Sequence, residues 1–229
     1  MNLLAFDTTF GACSVALATT VNDEEIYFNE FEERTRGHAE RLVPMMESVL
    51  ARAGVSYPDL NRIIVTNGPG TFTGMRVGIA AAKALKLGQS VPVTICSSLQ
   101  LLAFGAMTAP GPNSEAHIGV AVDARRDQIY FALYDRDGQE ILPPDIGSKE
   151  DIRNCFPNES ILLVGSAAAT IAGETEPASM TDNLKQQQPD ALNLVKMAHR
   201  LPHRDQPIAP LYLRPADAKP QTGKSLKRL

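Results

Sequence analysis

Hydrophobic and polar positions alternate, then regroup, in a readable order. Leu3-Leu4-Ala5-Phe6 is a short apolar run closed by Asp7-Thr8-Thr9, and Gly11 precedes the small, mixed stretch Ala12-Cys13-Ser14-Val15-Ala16-Leu17-Ala18. Two strands joined by a tight polar turn account for this. Residues 25–34 place Ile26, Phe28 and Phe31 between charged side chains, which predicts a third strand and an opening antiparallel meander. After Gly37 the apolar positions become Leu42, Met45, Met46, Val49, Leu50 and Ala53, a helical spacing with Glu40, Arg41, Glu47 and Arg52 on other faces. Gly54 is placed to end that helix, and Pro44 inside it predicts a late start or a kink. Ile63-Ile64-Val65 within 61–66 reads as a buried strand, stopped by Gly68-Pro69-Gly70. Thr71 or Thr73 can cap the next helix, residues 74–87. Residues 91–95 form another short strand, and Ser97 or Ser98 opens a helix through Leu99, Leu101, Leu102 and Phe104.

Residues 108–116, rich in Pro, Gly, Ser and Asn, read as a linker. Beyond it residues 118–125 repeat the strand-then-Asp pattern at Asp123, residues 128–134 form a strand, and Asp137-Gly138 marks a hairpin turn. Residues 161–166 give a strand ending in Gly165, and 191–200 a short helix with Leu192, Val195 and Met197. The order of elements thus occurs once in full and again in reduced form, the sign of an internal duplication. The expected organisation is an N-terminal α/β lobe over 1–107, the linker 108–116, a smaller C-terminal lobe over 117–215 and a basic, disordered tail over 216–229.

Composition narrows the function classes. Of 229 residues 44% are hydrophobic, enough for a core, and the formal net charge of −4 opposes a broad non-specific grip on nucleic acid. Trp is absent and aromatics are 6%, which disfavours an extended stacking platform for bases. Three scattered Cys, at 13, 96 and 155, make neither a zinc knuckle nor a disulfide framework and fit a reducing cytoplasm. The first residues lack the basic flank of a signal peptide, and no apolar run reaches the ~20 residues of a membrane span. Residues 216–229 carry Lys219, Lys224, Lys227 and Arg228 against Asp217, so the tail is basic and the body correspondingly more acidic.

Four features bear on chemistry. Asp7 and Thr8 at a strand end fit either a crevice ligand, with the carboxylate beside a magnesium-bound phosphate, or a simple hairpin turn. The segment 67–76, with Gly68, Gly70 and Thr71, joins strand to helix where anions bind. It lacks the Walker lysine and the G-x-G-x-x-G spacing, so a tight turn with a Thr cap competes equally. The helix from Gly74 through Val77, Gly78, Ala81 and Leu85 has little bulk and admits close helix packing, within the lobe or between subunits with the Met-rich helix. His38 has Leu42 at i+4, and Pro202 disrupts the His199/His203 register, so no metal site is expected.

The blocks AFDTTFGACSVAL, GHAERLVPMMESVLARAG, IIVTNGPGTFTGMRVGIAAAKAL, SSLQLLA and AVDARRDQIYFALY, with PLYLR at 210–214, resemble the bacterial TsaB (YeaZ) family. That resemblance implies a two-lobed ASKHA fold (actin, sugar kinase, Hsp70) and a part in forming threonylcarbamoyladenosine at position 37 of tRNAs reading codons that begin with A. It implies a non-catalytic partner of the TsaD subunit that also supports assembly with the ATPase TsaE, without a cofactor. It implies a partner surface on Leu42, Met45, Met46, Val49 and Leu50 of one helix and Gly74, Val77, Gly78, Ala81 and Leu85 of the next. Pairing would be with TsaD, or with a second copy when TsaD is missing, and tRNA would be met through the complex. The metal pair H-x-x-x-H of the catalytic paralogue is here His38…Leu42. The competing expectations are a nucleotide-binding ASKHA ATPase or kinase using Asp7 and the 68–74 loop, and a metallopeptidase.

Overall fold

The computed structural model describes residues 1–109, 117–155, 161–172, 188–202, 205 and 207–214. Most of the proposed linker, the tail 216–229 and His203 lie outside the described residues. The chain opens with β1 (Asn2–Asp7), β2 (Ala12–Val21) and β3 (Glu24–Glu33), an antiparallel meander as the alternation predicts. α1 (His38–Ala53) follows, then β4 (Arg62–Thr66), α2 (Phe72–Gln89), β5 (Val93–Cys96) and α3 (Ser98–Thr108). β4 pairs parallel to β1, and β5 parallel to β4, giving the order β3-β2-β1-β4-β5.

The second half repeats this on a smaller scale. β6 (His117–Arg125), β7 (Gln128–Tyr134) and β8 (Glu140–Gly147) form an antiparallel meander, and β9 (Ile161–Val164) pairs parallel to β6. The order β8-β7-β6-β9 is the first sheet without its last strand, so the duplication read from two strand-Asp patterns is present in the topology. α4 (Lys149–Cys155), α5 (Ala168–Ala172) and α6 (Ala191–Lys196) complete the described helices. β8, α4 and α5 were not legible in the pattern. β8 contains Pro143-Pro144 and buries nothing deeply, and the two helices are only 7 and 5 residues long.

Helix ends follow local chemistry. Gly54 caps α1 at φ 66, and Thr71 Oγ1 accepts from the Gly74 N–H at 3.2 Å to cap α2. The expected late start does not occur: α1 runs from His38 to Ala53 through Pro44. Pro44 and Glu40 both lie on the exposed side of the helix.

α1 and α2 cover one face of the first sheet, with Leu42, Met45, Met46, Val49 and Leu50 packed among Leu4, Phe6, Val15, Leu17, Ile63 and Val65. α3 lies between the sheets. Leu101 and Phe104 join the Leu3, Ala5 and Ile64 core, while Leu99 and Leu102 join Val120, Ala132 and Val164 of the second sheet. α6 returns to the first sheet, packing Leu194 and Val195 with Leu3, Ala16 and Ala18. None of the described helices is long and apolar enough to cross a membrane.

Candidate functional site

Asp7 ends β1 between β2 and β4, where a doubly flanked strand delivers its last side chain to the crevice at the sheet's carboxyl end. It is fully buried. Its carboxylate accepts from the Thr9 N–H at 3.1 Å, from Thr9 Oγ1 at 2.8 Å and from Thr66 Oγ1 at the end of β4. Burial pushes its pKa up to about 6, the bonds from Thr66 and Thr9 oppose that rise, and nearby Asp190 adds to it.

The glycine-rich segment lies directly over this turn. The Thr71 N–H donates to the Thr9 carbonyl at 2.7 Å, and Thr8 Oγ1 donates to the Gly74 carbonyl at 2.7 Å. A Cβ on Gly70 would collide with the Thr9 carbonyl, and one on Gly74 with the Thr8 carbonyl. The glycines therefore admit the close approach of the chain's own backbone. α3 closes the other side: the Ser98 N–H donates to the Gly68 carbonyl at 2.9 Å and Ser98 Oγ to the Pro69 carbonyl at 2.6 Å. Asp7-Thr8-Thr9 forms a turn and 68–74 a tight turn capped by Thr71.

The second lobe repeats the closure. Asp123 is exposed, accepts from the Arg125 N–H at 2.7 Å and makes a turn. A Cβ on Gly165, at φ 99, would strike the Ala121 carbonyl. His38 Nε2 lies 3.1 Å from the Phe10 carbonyl, which fixes it as the donor, and burial lowers its pKa. Leu42, one turn on, points into the core. His199 is exposed beyond α6, and among the described residues no three His, Cys, Asp or Glu side chains form a metal-holding group. Burial pushes the Cys13 thiol up to about 12 and raises Cys96 as well, so neither is a ready nucleophile.

The partner surface read from the sequence needs correcting. Leu42, Met45, Met46, Val49 and Leu50 are each at most 4% exposed, and Gly74 and Gly78 are buried too. The stripe looked unpartnered because periodicity shows that one face is covered without showing what covers it; the chain's own first sheet does. Val77, Ala81 and Leu85 are half-buried at the flank of that core. The outward faces are different residues: Val43, Pro44, Glu47 and Ala51 on α1, and Arg76, Ala80, Lys83, Ala84 and Leu87 on α2. Val43 is 48% and Leu87 88% exposed.

Sequence reasoning missed how the C-terminal part completes the molecule. The Leu211 N–H donates to the Asn67 carbonyl at 2.7 Å, and Arg214 donates to the Ala124 carbonyl at 2.9 Å and to Gln128 Oε1 at 2.7 Å. Residues 207–214 thus strap the glycine-rich segment to the β6–β7 turn. Asp190 was also missed, although an Asp directly before a helical pattern is a cap signal; it accepts from the Leu192 N–H at 2.9 Å.

Two mixed sheets of one repeated topology, the second reduced, with helices against them and an Asp at or near the end of the first strand of each, define a protein of the ASKHA class. Comparison with known proteins narrows this. Residues 27–155, more than half of the chain, match the family model "TsaD: tRNA N6-adenosine threonylcarbamoyltransferase". The chain is 30% identical over 232 residues to the Haemophilus influenzae tRNA threonylcarbamoyladenosine biosynthesis protein TsaB, covering 93% of this chain and 94% of that protein. It is 38% identical to the Escherichia coli protein of the same name over 155 residues, 64% of each. YeaZ from Pseudomonas aeruginosa superposes with a TM-score of 0.76 at 27% identity, over 93% of this chain and 99% of that one. The chain belongs to the TsaB (YeaZ) family.

Proposed function

We propose that this chain takes part in tRNA threonylcarbamoyladenosine biosynthesis as a non-catalytic scaffold, in the cytoplasm. In this reading it holds a TsaD-type catalytic subunit in its active shape and supports assembly with a TsaE-type ATPase, and the product forms at position 37 of tRNAs reading codons that begin with A. Membership of the TsaB family supplies the pathway. One observation supports the non-catalytic part: the Asp7 carboxylate is fully buried with its oxygens taken up by Thr9 and Thr66, and Gly70 and Gly74 pack the following segment directly against Thr8–Thr9. The engagement of the Asp7 oxygens by Thr9 and Thr66 argues against an ATPase or kinase built on Asp7.

The docking surface in this reading is the outer side of α1 and α2, not the stripe inside it. Ala80 and Ala84 stand on the exposed side of α2 beside Leu87, and Val43 stands on that of α1. Small side chains let a partner helix approach closely, and the apolar ones supply area at ~25 cal/mol per Å² before association costs. Without the catalytic subunit, the same faces of two copies would meet in a homodimer.

Reconstitution tests the proposal. The catalytic subunit, the ATPase, threonylcarbamoyl donor and unmodified tRNA are combined with and without this chain, and modified nucleoside is measured by mass spectrometry. Product is expected only when the chain is present, and none from the chain alone. Equal product in its absence overturns the reading. So does micromolar Mg-ATP binding by the isolated chain that Asp7→Asn abolishes, which would install the nucleotide-dependent enzyme instead.

A further inference from the structure

Beside the start of β1, on the face of the first sheet that α6 covers, lies a cavity of about 250 Å³. The pleat determines what lines it. Leu3 stands opposite Ala18 on β2 and opposite Arg62 on β4, and Thr20, two residues beyond Ala18, stands opposite Glu25 on β3. Side chains two apart share a face, so all five project to the same side. Leu3 and Ala18 line the cavity from the sheet, and Val195 and Leu201 line it from the segment that returns after the second lobe. Its walls are therefore mostly apolar, with Arg62 and Glu25 as charged members on strands β4 and β3. Three strand spacings, roughly 14 Å, separate the backbones of those two residues.

Arg62 is the unusual member. It is 3% exposed, and a guanidinium keeps its charge even when buried. Among the described residues no ion pair reaches it. Its protein acceptors are all neutral: Thr94 Oγ1 takes the Nε–H, the Ala198 carbonyl one N–H of Nη1, and the Leu201 and Pro202 carbonyls those of Nη2. Of five N–H groups that leaves one, on Nη1, without a protein acceptor among the described residues. Burial lowers the pKa of Arg62, and no carboxylate among the described residues offsets this. The acidic groups nearby have other partners: Asp205 pairs with Lys86, and Glu25 accepts from Tyr27 Oη at 2.6 Å. A buried cation served only by neutral oxygens carries a desolvation cost that a counter-charge relieves. A cavity at its side is where that counter-charge fits.

We propose that this cavity binds a small organic carboxylate, with the carboxylate on the Arg62 guanidinium and a short apolar body against Leu3, Ala18, Val195 and Leu201. The volume lies below the range that holds drug-sized ligands, which limits the occupant to a few carbon atoms beyond its carboxylate. Glu25 offers the same cavity a place for an ammonium, so plain monocarboxylic acids and amino acids share the required chemistry. Bound there, the ligand bridges β4 and the returning segment and tightens their contact. α1 and α2 pack on the opposite face of this sheet, so the proposal is independent of the scaffold reading and of its docking surface.

The test is isothermal titration calorimetry of the full chain with butyrate, L-2-aminobutyrate and butyramide, three probes of one carbon skeleton. At least one of the two acids is expected to bind, and butyramide to bind about 10- to 150-fold more weakly than that acid, the worth of a charge-assisted hydrogen bond. Tighter binding of aminobutyrate, lost in Glu25→Gln, assigns the site to amino acids, and tighter binding of butyrate assigns it to plain monocarboxylates. Thr20→Phe, at an exposed strand position that accepts an aromatic ring, is expected to block the cavity and abolish binding with the thermal midpoint unchanged. Arg62→Gln is expected to erase the preference for acid over amide. Methyl NMR of the unaltered chain locates the site without any substitution, with shifts expected to centre on Leu3, Ala18, Val195 and Leu201. The proposal is overturned if neither acid binds at millimolar concentration, if butyramide binds as tightly as the acids, if Thr20→Phe leaves the affinity unmoved, or if the methyl shifts centre elsewhere.

Discussion

Asp7 and Gly74 are adjacent parts of one small structure, and each has a measurable signature. Asp7 holds its proton more tightly folded than unfolded, with a pKa of about 6 against the ordinary 3.8. Between those values the native state binds more protons, so stability falls as pH rises from about 4 to about 6 and then levels off. A shift of this size is worth about 3 kcal/mol at neutral pH. Asp7→Asn is expected to remove most of that slope and to raise stability at pH 7, read as denaturation midpoints between pH 4 and 7. Asp190, also raised by burial, leaves a residual slope of the same sign. At Gly74 a methyl would overlap the Thr8 carbonyl and sit 2.6 Å from Thr71 Oγ1. Gly74→Ala is expected to cost about 1–3 kcal/mol or more from overpacking. Gly88 in the same helix has nothing within 4 Å of an added Cβ. Gly88→Ala is expected to gain about 0.5–1 kcal/mol from helix propensity, and chemical denaturation of the two variants side by side checks both signs.

At the scale of the element, α1 has two faces with different work. Its inner face is core, as Met46 at 1% exposure makes plain. Met46→Glu would place a carboxylate among Leu and Ile side chains and is expected to cost about 4 kcal/mol or more, abolishing the fold rather than an interface. The outer surface is where a partner can be tested. Ala84→Glu on exposed α2 is expected to change stability by no more than about 0.5 kcal/mol while weakening association with the catalytic subunit about tenfold or more. Thermal unfolding with analytical ultracentrifugation separates the two, and intact pairing in Ala84→Glu would remove this face from the proposal. The outer edge of the sheet is tied to α1 by polar contacts: Arg41 Nε donates to Glu32 at 2.7 Å, and Ser48 bonds Glu30. Such partly exposed pairs orient more than they stabilise.

For the whole molecule, the decisive feature is that the chain comes back. After the second sheet, α6 and the turn behind it return to β1 and β2, and buried Arg62 at the start of β4 holds them there. Its guanidinium donates to Thr94 Oγ1 at 3.0 Å and to the carbonyls of Ala198 at 3.1 Å and Pro202 at 3.0 Å. Arg62→Ala removes the donor to Thr94 Oγ1 and to the part-buried Ala198 carbonyl and is expected to cost about 1–3 kcal/mol in thermal unfolding. Arg62→Lys is expected not to rescue it, because an ammonium cannot span the same fork of acceptors. Residues 188–202 therefore act as a clasp on the first lobe, although they follow the second in sequence.

What the sequence alone determined were the elements with strong local periodicity and the residues that end them. The 16-residue α1, its glycine cap, the opening meander, the cap positions narrowed to Thr71 or Thr73 and to Ser97 or Ser98, of which the structure uses Thr71 and Ser97, and the strand-Asp repeat depend on neighbours a few positions away. Short elements such as β8 and α5 carried too few residues for a period to show. The ordered motifs also sufficed for the family, because they reflect turns and glycine contacts that this fold requires. Three things belonged to the tertiary structure: which way each apolar stripe faces, what packs over the Asp7 turn and where residues 188–202 and 207–214 settle. Burial, desolvation of Asp7 and backbone-to-backbone contact at Gly70 and Gly74 arise between segments some 60 residues apart, and no local pattern records which segment will arrive.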